Sequence, residues 1–394
     1  MSAIARRLSV PGLASGAAAS RPALYKAALN HGVFALVPLM FTGFVVYIAV
    51  RSGAFAVDFH NGEWTAGQRL LHGMSPYFGP HSAAVLSAGA AHPRVTPFVY
   101  PGVGAVLYAA LALIPHYAAD TLFTAFDMAA VALSLKLMDV RDWRLYGLVF
   151  LWPPVVIGWQ TANITLLLGL GIAALWHYRD RPAMSGPLLA LLISLKIVLW
   201  PLALWFLATR RYRALRLTAV WGVGLNLIAW SVVGYSEIPR YLSVLQSFNS
   251  AGERRSYSLI NLALHLGVST RIATAMAYAL AGVVAVLCFK FGRSGHERLA
   301  FVLSVGVVLL ATPIIWLHYF ALLLVPLALT RPRLGPLWGL PLLMFGCPPT
   351  EPTTWQIALV LTVSALLVGL MVRAEMAPLR SRPPRRMRWQ TFRQ

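Results

Sequence analysis

The chain has 394 residues, of which 58% are hydrophobic and only 11% charged. Soluble domains run about 45–50% apolar and about 25% charged, so an ordinary soluble enzyme, a disordered chain and a disulfide scaffold are excluded. A bilayer-crossing helix needs roughly 20 apolar residues, and this composition, with a mean hydropathy of +0.68, is that of an all-α polytopic membrane protein.

Thirty-three Lys and Arg against twelve Asp and Glu give a net charge of +21. Much of the excess lies in tails and short loops: Arg6, Arg7, Arg21 and Lys26 near the start, and seven Arg between Arg373 and Gln394. Basic flanks beside apolar spans are what the positive-inside rule and anionic headgroups select, so the partner they imply is the bilayer and not nucleic acid. Cys288 and Cys347 lie in apolar runs and match no disulfide or thiol motif. The first thirty residues lack an apolar core with a small-residue cleavage site, so no cleaved signal peptide is expected.

In chain order, apolar runs fall at 33–50, 98–115, 119–137, 145–158, 161–177, 186–208, 215–233, 272–291, 298–312, 314–330, 335–347 and 355–372. These twelve predict a membrane domain over 33–372 between a basic N-terminus (1–32) and an Arg-rich tail (373–394). An even count places both tails on one side, the cytoplasmic one by the positive-inside rule. Alternation then puts Arg210 to Arg216, Lys290 to Arg298 and Arg331 to Arg333 inside, in accord with the rule. It puts Lys136 to Arg144 and Arg179 to Arg181 outside, against it. Two extracytoplasmic loops are long, 51–97 and 234–258, the second continued by a short re-entrant piece at 259–267. Within the first, Trp64, Leu70, Leu71, Met74 and Tyr77 alternate with Glu63, Gln68, Arg69 and His72 at the spacing of an interfacial amphipathic helix.

Acids are few enough to weigh singly. Asp120 suits a helix start; Asp139, Asp142, Asp180, Glu297 and Glu375 stand near bases as charge partners. Asp127 is embedded in an apolar run, where an ionisable group faces the bundle interior. Asp58 follows the first span with no adjacent base. It is either a helix cap or a general base at the membrane surface, where partial desolvation would raise its pKa. Lys196, in mid-span, either snorkels or pairs with Asp127, or else contacts a phosphate. In Thr312-Pro313-Ile314-Ile315-Trp316-Leu317-His318-Tyr319 the proline frees carbonyls for a cavity wall; Trp316 and Tyr319 also suit an aromatic belt, and His318 an interfacial histidine. Arg254 and Arg255 are solvated charges or a clamp for an anionic head group. No Walker loop, HExxH or G-x-S-x-G occurs, and no His pair has metal-ligand spacing.

Asp58-Phe59, Ala66, Leu70-Leu71-His72-Gly73 and Pro76-Tyr77 together resemble the first outer loop of the family 87 glycosyltransferases. These are multi-spanning enzymes of the GT-C superfamily that include polyprenol-phosphate-mannose-dependent α-(1→2)-mannosyltransferases. Tyr100-Pro101, then Lys196 with Pro201 and Arg210-Arg211, then Thr312-Pro313 with Trp316 and His318, come in the family's order, so that the resemblance covers about 33–330. The family's Gly-Gln-x-Asn element departs, appearing as Gly158-Trp159-Gln160-Thr161-Ala162-Asn163, and the alternation places it near the inner face.

The resemblance implies a GT-C-like fold and inverting transfer of a sugar, mannose or another such as arabinofuranose, from a polyprenyl-phosphate donor to a glycolipid or polysaccharide. Asp58 would be the base. Lys196, Arg254, Arg255 and His318 would attend the donor phosphate, and His60, Tyr77, Tyr100 and Trp316 would line the substrate pocket. No metal or other cofactor is expected, and since polyprenyl phosphate is already a good leaving group no strong general acid is required. A lipid-linked-sugar transporter is the main alternative, though no internal repeat with paired interrupted helices is visible; a non-catalytic assembly partner is a third.

Overall fold

The computed structural model describes Tyr25, residues 28–77 and residues 96–380. Most of the basic N-terminus, the middle of the first loop and the tail beyond 380 lie outside the described residues. Among the described residues every regular element is helical. Five helices are long and apolar enough to cross a membrane: Ala28–Ser52, His116–Leu137, Tyr212–Val233, Thr270–Arg293 and Thr354–Met376. The pair Pro153–Gln160 and Thr165–His177, bent by 116°, adds a sixth if it is one broken span. The remaining runs of the sequence form shorter helices.

In chain order these are α1 (Val37–Ser52), α2 (Thr65–Leu71), α3 (Gly102–Leu111), α4 (His116–Leu137), α5 (Trp143–Leu148), α6 (Pro153–Gln160), α7 (Thr165–His177) and α8 (Pro182–Leu195). Next come α9 (Leu202–Ala208), α10 (Tyr212–Val233), α11 (Ile238–Gly252), α12 (Leu259–His265), α13 (Thr270–Arg293), α14 (Glu297–Ala311), α15 (Leu324–Thr330) and α16 (Thr354–Arg380). The core is rich in wholly buried aromatics, Trp152, Trp159, Trp205 and Trp338 among them. Where their N–H groups find carbonyls they tie elements together, as Trp152 Nε1 does by donating to Trp338 O at 3.0 Å. The long outer faces of α10 and α13 stay apolar and exposed, with Val220, Ile228, Val283 and Val286 open to the surroundings. Such faces suit lipid, which needs no buried partner.

Three interruptions shape one end of the bundle. Between α6 and α7, Ala162 adopts φ +53°, a left-handed conformation that costs a non-glycine residue of order 1–3 kcal/mol. The run 186–208 is not continuous. α8 stops at Leu195, Lys196 is extended (φ −144°, ψ 98°), and a 3₁₀ turn Ile197–Leu199 leads to Pro201 and α9. Pro201 has no N–H for the carbonyl of Ile197, so a helix cannot run through it; Trp200 N takes that carbonyl instead, at 3.0 Å. α14 ends at Ala311 because Thr312, preceding Pro313, is pushed to extended backbone (ψ 117°). The 3₁₀ helix Leu317–Leu323 resumes beyond it.

The expected sidedness is corrected at several points. The run 98–115 does not separate two faces. α3 lies on α2, where a Cβ at Gly67 would fall 2.5 Å from Tyr108 O, so only glycine allows that approach. Past α3 the chain stays with the first loop: Gln68 Nε2 donates to Ala112 O, and Trp64 Nε1 to Ile114 O at 3.3 Å. With that crossing gone, the parity of the next spans reverses. Arg211 donates to Asp180 Oδ1 at 2.9 Å and to Glu297 Oε1 at 2.6 Å. Asp142 accepts from Arg144 and from the amide of Leu334 at 3.2 Å. The loops at Lys136 to Arg144 and Arg179 to Arg181 therefore belong with the Arg210, Glu297 and Arg331 loops at the basic end. α8 and α9 form a hairpin whose two ends return there, with Lys196 at the turn. The 234–258 segment is mostly the amphipathic helix α11.

Candidate active site

The three breaks and the first loop meet around a cavity of about 310 Å³ at the end opposite the basic loops. Its wall includes Asp58, Glu63, Tyr100, Lys196, Trp316 and His318, with Phe248, Gly252, Arg255 and Pro349 closing the far side.

Asp58 is held there by carbonyls that the bend of α6 leaves free. Ala56 N donates to Gln160 O at 2.7 Å, and Asp58 N and Phe59 N donate to Thr161 O at 3.1 and 3.3 Å. A helix C-terminus has unsatisfied carbonyls, and the first loop uses them as its dock. The chain then winds through a π-helical turn, Phe59–Trp64, whose wider spacing turns Glu63 inward. One oxygen of Asp58 accepts from Asn163 Nδ2 at 3.1 Å, and the side chain opens onto the cavity. Burial raises its pKa above the ordinary carboxylate value, opposed in part by hydrogen bonds from Asn163 and Thr161 and by the charge of Lys196. Glu63, only 3% exposed, is pushed up to about 8, first by burial and then by Asp58, with Tyr100 hydrogen-bonded to it. At neutral pH Glu63 therefore keeps its proton, beside the Asp58 carboxyl.

Lys196 stands at the hairpin turn, its ammonium 3.4 Å from Thr165 Oγ1 and 4.0 Å from the centre of the Tyr319 ring. It does not pair with Asp127, which is wholly buried. His318 is buried at 4% exposure, and its Nε2 meets no partner among the described residues. Arg255 lines the cavity but is paired to Glu351, whose backbone N–H also donates to Arg255 O at 3.1 Å.

Of the residues expected at a substrate site, Asp58, Tyr100, Lys196, Arg255, Trp316 and His318 come together on the cavity wall. Three others do not. His60 turns away to Asp120, Nδ1 to Oδ2 at 3.1 Å, a contact that also removes Asp120 from the helix-start role, since α4 begins at His116. Tyr77 is buried under the site, its hydroxyl donating to Tyr100 O at 3.1 Å. Arg254 is exposed outside the lining.

Sequence reasoning missed Glu63, Gln160, Thr161, Asn163 and Thr165. Glu63 looked like the polar face of an amphipathic helix, and the π turn buries it. The element holding Gln160 and Asn163 was assigned to the inner face, and the structure puts it against Asp58. The signal was present in the motif itself, a run of polar residues between two apolar helices.

The described residues define an all-helical, membrane-embedded protein with a half-buried aspartate, a cation and a histidine whose Nε2 meets no described partner around one cavity. The family model for glycosyltransferase family 87 matches residues 98–313, more than half of the chain. The chain belongs to glycosyltransferase family 87, and it is a glycosyltransferase. The match contains Tyr100, Asn163, Thr165, Lys196 and Arg255, whereas Asp58 and His318 lie beyond its two ends. No curated protein and no solved structure matches the chain.

Proposed function

We propose that the protein transfers a sugar, mannose in α-(1→2) linkage, from a polyprenyl-phosphate donor to a hydroxyl of a glycolipid or polysaccharide, with inversion, in the manner of the GT-C superfamily. The observation that carries this reading is the disposition of charge in the cavity. Asp58 and Lys196 share it without an ion pair between them, so each is available to substrate.

Asp58 accepts the proton of the acceptor hydroxyl as that oxygen bonds to the anomeric carbon. The anomeric carbon–oxygen bond breaks on the opposite face, and its electron pair leaves with polyprenyl phosphate. A β-linked donor gives an α-linked product. The phosphate gains one negative charge, which Lys196 stabilises where water is scarce, with His318 and Arg255 alongside. Tyr100 and Trp316 supply surface for sugar rings. The cations are side chains, so the proposal assigns no resident cofactor.

Support for a lipid-linked donor comes from a second hollow of about 80 Å³ sharing Tyr100, Lys196, Phe248 and Tyr319 with the first. Its remaining wall is largely apolar, with Leu195, Ile197, Val198 and Leu245, so an apolar path adjoins the cation. The positive-inside rule supports placing the basic end and both tails in the cytoplasm, with the cavity at the extracytoplasmic face of the plasma membrane.

The test is to supply the purified protein with mannosyl and arabinosyl polyprenyl phosphates and an acceptor mixture, and to follow release of polyprenyl phosphate and the new linkage. Mannosyl consumption with an α-(1→2) product is expected. Arabinosyl consumption alone would correct the sugar. Movement of the donor across a vesicle bilayer with no glycosidic bond formed would replace the reading with transport.

A further inference from the structure

Asp58 and Lys196 do not touch, yet a line of hydrogen bonds joins them through two residues of the α6–α7 bend. Asn163 Oδ1 accepts from Thr165 N at 3.1 Å and from Thr165 Oγ1 at 2.7 Å. A backbone N–H can only donate, so the atom facing it must be the amide oxygen, and the amide nitrogen is thereby turned to Asp58 Oδ2 at 3.1 Å. The single hydroxyl hydrogen of Thr165 is committed to Asn163. What it offers Lys196, 3.4 Å away, is a lone pair. The line therefore runs in one sense: ammonium to hydroxyl, hydroxyl to amide oxygen, amide nitrogen to carboxylate. Both intermediaries are buried, Asn163 at 6% and Thr165 at 1% exposure.

A plain structural role would be an Asn side chain satisfying the first amides of α7. That role occupies only the oxygen of Asn163. It leaves unexplained why the nitrogen faces a carboxylate, and why the hydroxyl at the next corner faces the ammonium. The strained φ of Ala162 and the bond from Asn163 N to Gly158 O at 2.9 Å hold the corner in place, so the side chains have little freedom to point elsewhere.

Resting on the proposed transfer reaction, we infer that Asn163 and Thr165 are positioning residues that link the base to the phosphate-holding cation. Asn163 fixes one oxygen of Asp58 so that the other is presented to the acceptor, and Thr165 fixes Lys196 relative to that base. Neither touches the reacting atoms. The groups that face Asp58 apart from these are Glu63, Tyr100, Thr161 and Lys196. Of the two intermediaries Asn163 alone donates to the carboxylate, so its removal acts on the charged form of Asp58.

The experiment compares Asn163→Ala, Thr165→Val and Thr165→Ser, with Asp58→Asn in parallel, by pH profiles of kcat/KM on the full chain in detergent with mannosyl polyprenyl phosphate. Asn163→Ala is expected to lower kcat about 10- to 100-fold and to move the acid limb of kcat/KM to higher pH by on the order of one unit, with donor KM unchanged. Thr165→Val is expected to raise donor KM several-fold and Thr165→Ser to restore it. The double change Asn163→Ala with Thr165→Val should cost less than the two single effects combined. An acid limb that stays in place in folded Asn163→Ala, or a Thr165→Ser as impaired as Thr165→Val, overturns the positioning role. Should Asn163→Ala fail to fold, the Thr165 pair decides alone. An active Asp58→Asn removes the base assignment itself, whereas an inactive one with an unmoved limb removes only the positioning role.

Discussion

The two ends of this bundle treat charge in opposite ways. At the basic end carboxylates meet guanidinium groups: Asp180 and Glu297 meet Arg211 and Arg179, and Asp142 accepts two bonds from the Arg144 guanidinium, one from the Arg144 amide and one from the amide of Leu334. At the cavity end Asp58 is held by an amide, Lys196 by a hydroxyl and a ring, and His318 Nε2 by no partner among the described residues. Paired charges fasten loops, and around the cavity Arg255 with Glu351 and His60 with Asp120 do the same, but Asp58 and Lys196 are left out of such pairs. Charges kept apart while half-buried are costly, and the helix breaks supply local polar partners that hold them there. The contrast also separates the helix ends: Asn163 and Thr165 sit at a break beside the cavity, Asp142 at an ordinary helix cap.

The contrast can be broken most severely at Asp58. Asp58→Asn should lower kcat by about 10²- to 10⁴-fold, the usual contribution of a general base, without changing the elution of the protein on size exclusion. Next is Lys196→Ala, which removes a charged contact worth about 1.5–3 kcal/mol and should raise the apparent donor KM roughly 10- to 100-fold, read from initial rates. At the other end Arg211→Ala should leave kcat unchanged while lowering stability by about 1–3 kcal/mol, measured as an earlier thermal unfolding transition; a matching loss of kcat would erase the distinction between the ends.

A finer effect concerns Glu63. Its carboxyl titrates near 4.5 when exposed and near about 8 in the folded chain, so the folded state keeps a proton that the unfolded state releases. Stability must then fall as pH rises from about 4.5 to about 8, with Asp58, shifted in the same direction, adding to the slope. Glu63→Gln should flatten the Glu63 part of that slope in thermal scans at several pH values. Smallest of all, Arg254→Ala should change donor KM by no more than about twofold, since an exposed cation outside the cavity is screened by water and salt.

Class and membrane residence were legible from composition, because a chain this apolar and this poor in charge has no soluble way to bury itself. Four of the five long helices arise from apolar runs without proline, and the first, Ala28–Ser52, carries Pro38. Asp58 and Lys196 were legible as candidates from isolation, each being an ionisable group with no adjacent opposite charge in sequence. What sequence could not supply was the path of the chain through 98–208. Gly67 permits α3 to lie on α2, and Pro201 turns 186–208 into a hairpin; both effects change which face a loop occupies, and alternation of apolar runs carries no information about either.

Glu63 illustrates the same limit on a smaller scale. Its neighbours have helical spacing, but one wide turn rotates it from the expected polar surface into the cavity. Asn163 and Thr165 are further instances, since their value lies in hydrogen-bond direction, which depends on a left-handed residue between two helices and on a carboxylate 105 positions earlier in the chain. Residue type and hydrophobic pattern determined what kind of protein this is and which charged groups were suspect. Only tertiary packing decided which of them share one cavity, because long-range contacts, and not local preference, fix where a broken helix points.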